Sequence, residues 1–368
     1  MKEKWKYYIG IGVLAITLFT GAAINCLKPQ ADFSNSERRQ LKKYPEWSLD
    51  SFLNNTYGDK FEDAAMDQFP FRDEFRRIKS YTLYYLFREK DNNGIYIENG
   101  YAAKLDYPLK EESVQNALDS FQYIYDTYLS GSGSKIYTCI VPDKGYYLAK
   151  QNGYPAMDYD KLYNRMKEGM SYSDFIDIRN MLSIKDYYRT DTHWRQEDLR
   201  QIAKKIGSVM GIGDSLSDNF AVNTSKLPFY GVYYGQSALP LKSEYIKYLT
   251  NDIISGCKVY DYGTGKTTGV YELDKLSGKD PYEMFLSGAA PLLTIENPKA
   301  AENKELIVFR DSFGSSLTPL LIEGYSRITL VDIRYIKSSL LKDYIDFHKQ
   351  DVLFLYSTLL LNDSHSLK

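Results

Sequence analysis

Three histidines and three cysteines in 368 residues leave little material for metal or disulfide chemistry. Cys26, Cys139 and Cys257 have no motif spacing, which excludes a disulfide framework and a zinc-type Cys/His cluster. Cys139 falls in an apolar run and is expected as a buried free thiol rather than as half of a bridge to Cys257. Ala23-Ile24-Asn25 is a poor lipobox, which sets aside a lipid-modified Cys26. A net charge of -2 without basic stripes excludes the electrostatic footprint of a nucleic-acid binder. No internal repeat is present, and no cofactor is expected.

What the chain does have is 43% hydrophobic residues, enough for one large or two modest domains, and 35 tyrosines. Aromatic faces with a polar tip suit sugar surfaces and half-buried strand and helix positions equally well. Tyr7 to Leu27 is uncharged over 21 residues. As a helix it would be about 31 Å long at roughly 1.5 Å per residue, the thickness of a bilayer core. The expected organisation is a cytoplasmic tail (1–6), a transmembrane signal anchor (7–27), a polar, solvated linker (28–44) and a main domain (45–368) outside the membrane. Basic residues flank the apolar stretch on both sides, and the short leading tail favours the N-inside orientation. Small residues at Gly21-Ala22-Ala23 would also suit a signal peptidase.

Helical spacing runs from Phe61 to Phe87 with a break at Phe69-Pro70-Phe71-Arg72-Asp73, where Pro70 should cap the next helix at its first turn. The alternation on either side of Asn99-Gly100 predicts a hairpin. Glu111 to Leu129 reads as an amphipathic helix, Lys135 to Pro142 as a buried strand and Gln196 to Met210 as a core-facing helix. Residues 215–300 are richer in glycine, tyrosine and short apolar runs and read as a β-rich, loop-rich insertion. Strand and helix alternation resumes from Leu306, so the fold class is α/β with a mainly parallel sheet and helices on both faces.

Two segments carry chemistry. In Arg189-Thr190-Asp191-Thr192-His193-Trp194, an extended backbone would put Asp191 and His193 on one side and Thr192 on the other, the relation by which a carboxylate orients a general base. His348, in a charged stretch expected to be helical, and His365, in a polar tail, are weaker bases. Far downstream, the apolar run ending at Arg310 leads through Asp311-Ser312 into a helical pattern. That places Ser312 at the carboxyl end of a strand, where α/β folds bind ligands, and beside a helix N-terminus. The alternative is a serine that only caps the helix, with a structural histidine elsewhere. A metal site would need a third ligand beside Asp191 and His193, and no spacing supplies one.

Thr190-Asp191-Thr192-His193-Trp194, Asp311-Ser312-Phe313-Gly314, Phe69-Pro70-Phe71-Arg72 and Val141-Pro142-Asp143-Lys144 together resemble the signature blocks of the alginate O-acetyltransferase family and its Gram-positive relatives, the DHHW proteins. The resemblance spans roughly residues 60–357. It implies an SGNH-hydrolase-like three-layer sandwich whose Asp-x-His element precedes the serine, and an extracytoplasmic enzyme that acetylates an exopolysaccharide. A membrane-bound O-acyltransferase as acetyl donor and a polysaccharide synthase complex are the implied partners. Asp191, His193 and Ser312 inherit the triad roles, and Thr192 stands where the DHHW name has a second histidine. Arg310 replaces the glycine that precedes Asp-Ser in the wider superfamily. The Ser312 amide, Gly231 and Arg310 are the candidates for oxyanion or substrate binding, and Tyr356 for the acceptor site. Lys144 and Arg72 read as surface or structural ion-pairing residues. An acetylesterase and a non-catalytic polysaccharide-binding scaffold are the alternative functions.

Overall fold

The computed structural model describes residues 4–34, 36, 37 and 39–368, apart from the side chains of Lys4 and Cys26. Residues 1–3 of the expected tail and the Cys26 thiol therefore lie outside the described residues. The chain divides into two compact units, Met1–Asn92 with Tyr234–Pro240, and Asn93–Tyr233 with Leu241–Lys368.

The first unit contains α1 (Lys4–Leu27), α2 (Thr56–Asp67) and α3 (Arg72–Tyr81). Within α1, Trp5–Asn25 is long and apolar enough to cross a membrane. Within 28–44, expected as a solvated linker, several of the described residues are tied to the end of α2. The Ala31 amide donates to the Gln68 side chain at 2.8 Å, Gln68 donates back to the Ala31 and Lys42 carbonyls at 2.9 Å, and Arg39 pairs with Asp67. The Arg39 guanidinium holds the Asp67 carboxyl down to about 2. Pro70 does not enter the first turn of α3, because Phe71 takes a left-handed conformation (φ 57°) before the helix starts at Arg72. Arg72 pairs with Glu37 at 2.5 Å.

The second unit is built on an eight-stranded sheet. In chain order its strands are β1 (Lys135–Val141), β2 (Asp174–Ile176), β3 (Lys258–Asp261), β4 (Lys266–Thr268), β5 (Leu292–Glu296), β6 (Glu305–Arg310), β7 (Arg327–Val331) and β8 (Asp351–Ser357). Their spatial order is β4-β3-β5-β7-β6-β8-β1-β2. The five strands from β7 to β2 run parallel, and β5, β3 and β4 add an antiparallel edge. The segment read as an insertion thus supplies three strands of the main sheet. A parallel strand covered on both faces must be apolar throughout. Leu306, Ile307, Val308 and Phe309 of β6 are all buried, each worth roughly 1.5–3 kcal/mol.

Alternate residues of β6 feed two cores. Leu306 and Val308 pack with α6 (Arg200–Val209), while Ile307 and Phe309 pack with α4 (Glu111–Ile124) and α5 (Tyr159–Gly169). The helices therefore cover both faces. Strands Ile95–Glu98 and Tyr101–Lys104 form the expected hairpin, with Asn99 and Gly100 both at positive φ (51° and 79°), as a type I′ turn requires. Two expected helices are shorter than their patterns. α4 gives way at Tyr125 to a π-helical turn, and the helix after Ser312 is only α7 (Phe313–Leu317), continued by 3₁₀ turns. Cys139 and Cys257 are buried free thiols, and burial pushes both up in pKa.

Candidate active site

Ser312 stands between β6 and α7, at the carboxyl end of a central parallel strand. The turn is held from below by Asp311, whose carboxylate accepts the Phe313 N–H at 3.0 Å and the Ser357 N–H, at the end of β8, at 2.8 Å. Asp311 thus caps the helix. Ser312 makes no side-chain capping bond, so its hydroxyl remains available for other chemistry. Gly314 lies against the Arg310 stem, where an added Cβ would come within 2.7 Å of the Arg310 Cβ.

The residues around Asp191 are not extended. Tyr187 and Trp194 bridge in antiparallel fashion, the Tyr188 amide donates to the His193 carbonyl at 3.1 Å, and the residues between them bend into a tight loop. Asp191 and His193 meet because the carboxylate folds back over its own chain. Asp191 Oδ1 accepts the His193 N–H at 3.1 Å and lies 2.6 Å from the ring Nδ1. Its other oxygen accepts the Val232 N–H at 2.8 Å. The His193 Nε2 is 2.7 Å from the Ser312 hydroxyl oxygen. A carboxylate can only accept, so Nδ1 carries the ring proton and Nε2 presents its lone pair to the serine O–H. Asp191 and His193 are buried, and Ser312 is partly open to solvent.

Four contacts hold the loop in place, and the sequence reading missed them all. The Tyr282 ring stacks flat beneath His193, with centroids 3.8 Å apart and planes 6° from parallel. The Tyr282 hydroxyl donates to Ser316 at 2.7 Å, and Trp194 Nε1 donates to the same oxygen at 2.9 Å. Gln196 donates to the Ser316 carbonyl at 2.8 Å, so α7 and the histidine loop are tied at several points. The fourth is Lys144. It is buried, and its Nζ donates to the Tyr188 and Arg189 carbonyls at 3.0 and 3.4 Å. Burial pushes its ammonium down to about 7, against the opposing pull of Asp191. Lys144 is therefore no surface ion-pairing residue. Its neighbour Asp143 accepts from the Gly145 amide and from Tyr159 and Thr358.

The residues expected to bind an oxyanion or substrate fare differently. The Gly231 amide is committed to Thr190 Oγ1 at 2.9 Å, and a Cβ there would lie 2.3 Å from the Asp191 Cα. Gly231 lets its loop press against Asp191 and is not a free donor. Tyr356 is in the core, its ring stacked on Phe121 at 4.8 Å, so it lines no open acceptor site. Arg310 is buried, donates to the Gly288 carbonyl at 3.1 Å and lies 3.7 Å from Asp332, which removes it from substrate contact. The Ser312 N–H has no acceptor among the described residues and remains the donor beside the hydroxyl. Thr192 accepts from the Tyr233 hydroxyl at 3.1 Å. His348 is not helical and lies 3.7 Å from Glu305, at the opposite end of β6.

The α/β fold thus presents a partly open serine at a strand end, hydrogen-bonded to a histidine that lies against a buried carboxylate. The chain has the fold of a DHHW family protein from Eubacterium siraeum (TM-score 0.58, 19% identity, covering 74% of this chain and 93% of that one). It equally shares the fold of Bacillus cereus PatB1 (TM-score 0.57, 16% identity, 73% and 96% covered), which has also been solved with a sulfonyl adduct. No protein-family model and no curated protein matches the chain.

Proposed function

We propose that the chain is a membrane-anchored, extracytoplasmic O-acetyltransferase that carries an acetyl group on Ser312 and passes it to a hydroxyl of an exopolysaccharide. The observation that carries this reading is the His193 ring, bonded on one side to Asp191 and on the other to the Ser312 oxygen. In the first half-reaction the Ser312 oxygen attacks the carbonyl carbon of a donor acetyl ester while His193 Nε2 takes the serine proton. The oxyanion forms beside the Ser312 N–H. The donor alcohol then leaves with the proton from His193, and Ser312 is left as an acetyl ester. In the second half, a sugar hydroxyl gives its proton to His193 and attacks the acetyl carbon, and Ser312 recovers its proton as the C–O bond to the enzyme breaks. Asp191 stays ionised and holds the imidazole in the tautomer both halves require. A membrane-bound O-acyltransferase is the proposed donor, within a polysaccharide synthase complex.

Incubating the full chain in detergent with an activated acetyl ester, with and without oligosaccharides, tests the proposal. Acetylated sugar that depends on Ser312 is the expected result. Ester hydrolysis indifferent to sugar would make the protein an esterase, and the absence of any turnover above background that depends on Ser312 would make it a scaffold.

A further inference from the structure

The first unit wears one helix inside out. Along α3, Arg72, Arg76 and Ser80 follow one another at four-residue intervals on a polar face that points into the unit. Arg72 pairs with Glu37, Arg76 donates to the Gly235 carbonyl at 2.9 Å, and Ser80 donates to the Ser237 carbonyl at 2.9 Å. The opposite face holds Phe71, Phe75, Ile78 and Tyr81 and continues through the following π-helical turn as Tyr85 and Leu86. These six side chains are 40–72% exposed. Helical periodicity puts them on one stripe, interrupted by Glu74 in the first turn and by Thr82, whose hydroxyl is bonded back to the Ile78 carbonyl, and edged by Arg77 and Lys79. A soluble unit turns such a stripe inward. Outward, it calls for an apolar partner.

The neighbouring contacts say which partner. Phe61 of α2, together with Phe69, shares a cleft of about 600 Å³ with Thr17, Leu18, Gly21 and Ala22 of α1. Thr17 lies eight residues before Asn25, the last residue of the apolar span, which is about 12 Å along a helix axis. Phe71, where the stripe begins, shares a second cleft with Ile24 and Lys28. If α1 crosses a bilayer, the phenylalanines beside its last turns are at the depth of acyl chains, and the stripe starts at headgroup level. Basic residues on both edges of an apolar stripe suit a helix lying in an interface, with stems in the apolar layer and charges among anionic headgroups.

We propose that the face from Phe71 to Leu86 lies on the lipid surface at which α1 ends, so that this unit is a platform seated on the membrane. The inference rests on reading α1 as a membrane span. It is tested on the full chain, with Cys26→Ser leaving only the buried Cys139 and Cys257, reconstituted in phosphatidylcholine–phosphatidylglycerol vesicles. Single cysteines replace Phe75, Ile78, Leu14 in the span, or Lys266 in the second unit, and each is spin-labelled. Accessibility to oxygen, which concentrates in lipid, is compared with accessibility to a water-soluble nickel chelate. Labels at Phe75 and Ile78 should favour oxygen, as at Leu14, with Lys266 showing the reverse preference. Labels at Phe75 and Ile78 that favour the chelate while Leu14 favours oxygen would overturn the platform and leave the anchor standing. Labels there closed to both reagents would replace lipid by a protein contact and also overturn it. A chelate-accessible Leu14 would remove the span and the platform together.

Discussion

Asp191→Asn is the perturbation that separates an orienting carboxylate from one that merely fills space. The side chain keeps its size but loses one acceptor, and the structure leaves no slack for that loss. One oxygen serves two donors on His193, and the other serves the Val232 N–H. If the amide oxygen stays on His193, the new NH₂ faces the Val232 N–H, and a buried donor is stranded at a cost of about 1–3 kcal/mol. If the amide turns round, its NH₂ faces Nδ1, which must then become the acceptor. The ring proton moves to Nε2, pointing at the Ser312 oxygen, and the histidine can no longer take the serine proton. The first arrangement shows as lost stability alone; the second also strands the His193 backbone N–H, which shares that oxygen, and adds a rate loss of about 10⁴-fold, the scale for a triad locked in the wrong tautomer. Turnover of an activated acetyl ester and chemical denaturation of the same preparation read both quantities. A variant with wild-type rate and wild-type stability would refute the orienting role.

Lys144→Met tests the buried amine. An unfolded lysine holds its proton to about pH 10.4, whereas the native one releases it near 7. Between those values the unfolded state binds more protons, so this residue makes the native state more stable as pH rises, by up to about 1.4 kcal/mol per pH unit. The variant should lose that slope in denaturation curves taken at pH 7 and 9, and an identical slope in both proteins would contradict the burial. Tyr282→Phe keeps the stack under His193 and loses only the bond to Ser316, so about 1 kcal/mol of stability and little rate should go. Tyr282→Ala opens a cavity under the imidazole and should cost about 3–5 kcal/mol and most of the turnover; thermal melts and ester assays on the pair distinguish the two roles. Gly231→Ala drives a methyl into the Asp191 backbone, and a destabilisation of roughly 1–3 kcal/mol with a slower ester reaction is expected, measured in the same assays.

What could be read from the sequence follows from how local each signal is. The approach of Asp191 to His193 is legible because only Thr192 separates them, although the backbone achieves it with a turn rather than an extended strand. The Ser312 turn is legible because four buried β6 residues run straight into it. The mainly parallel sheet and the hairpin at Asn99-Gly100 come from patterns a few residues long. Contacts made across long separations left no such trace. Tyr282 lies 89 residues beyond the histidine it supports and looks like any other tyrosine in a tyrosine-rich chain. A lysine is read as a surface residue by default, and only the converging carbonyls of Tyr188 and Arg189 make a buried one tolerable at Lys144. Gly231, a candidate for oxyanion or substrate binding from its place in the loop 228–231, spends its amide on Thr190. Its true demand is steric, set by an Asp191 that is 40 residues away. Arg310 and Tyr356 sit next to the right turn and strand end, but their side chains are taken by the interior.

The central claim is that Ser312 bears the acyl group. Intact-mass and peptide mass spectrometry of the full chain, quenched during turnover of an activated acetyl ester, tests it most directly. The account predicts one acetyl group on the Ser312 peptide of the wild type, lost in Ser312→Ala and greatly slowed in His193→Ala. Turnover at an undiminished rate with Ser312 unmodified, or acetylation at a different residue that persists in Ser312→Ala, would contradict it.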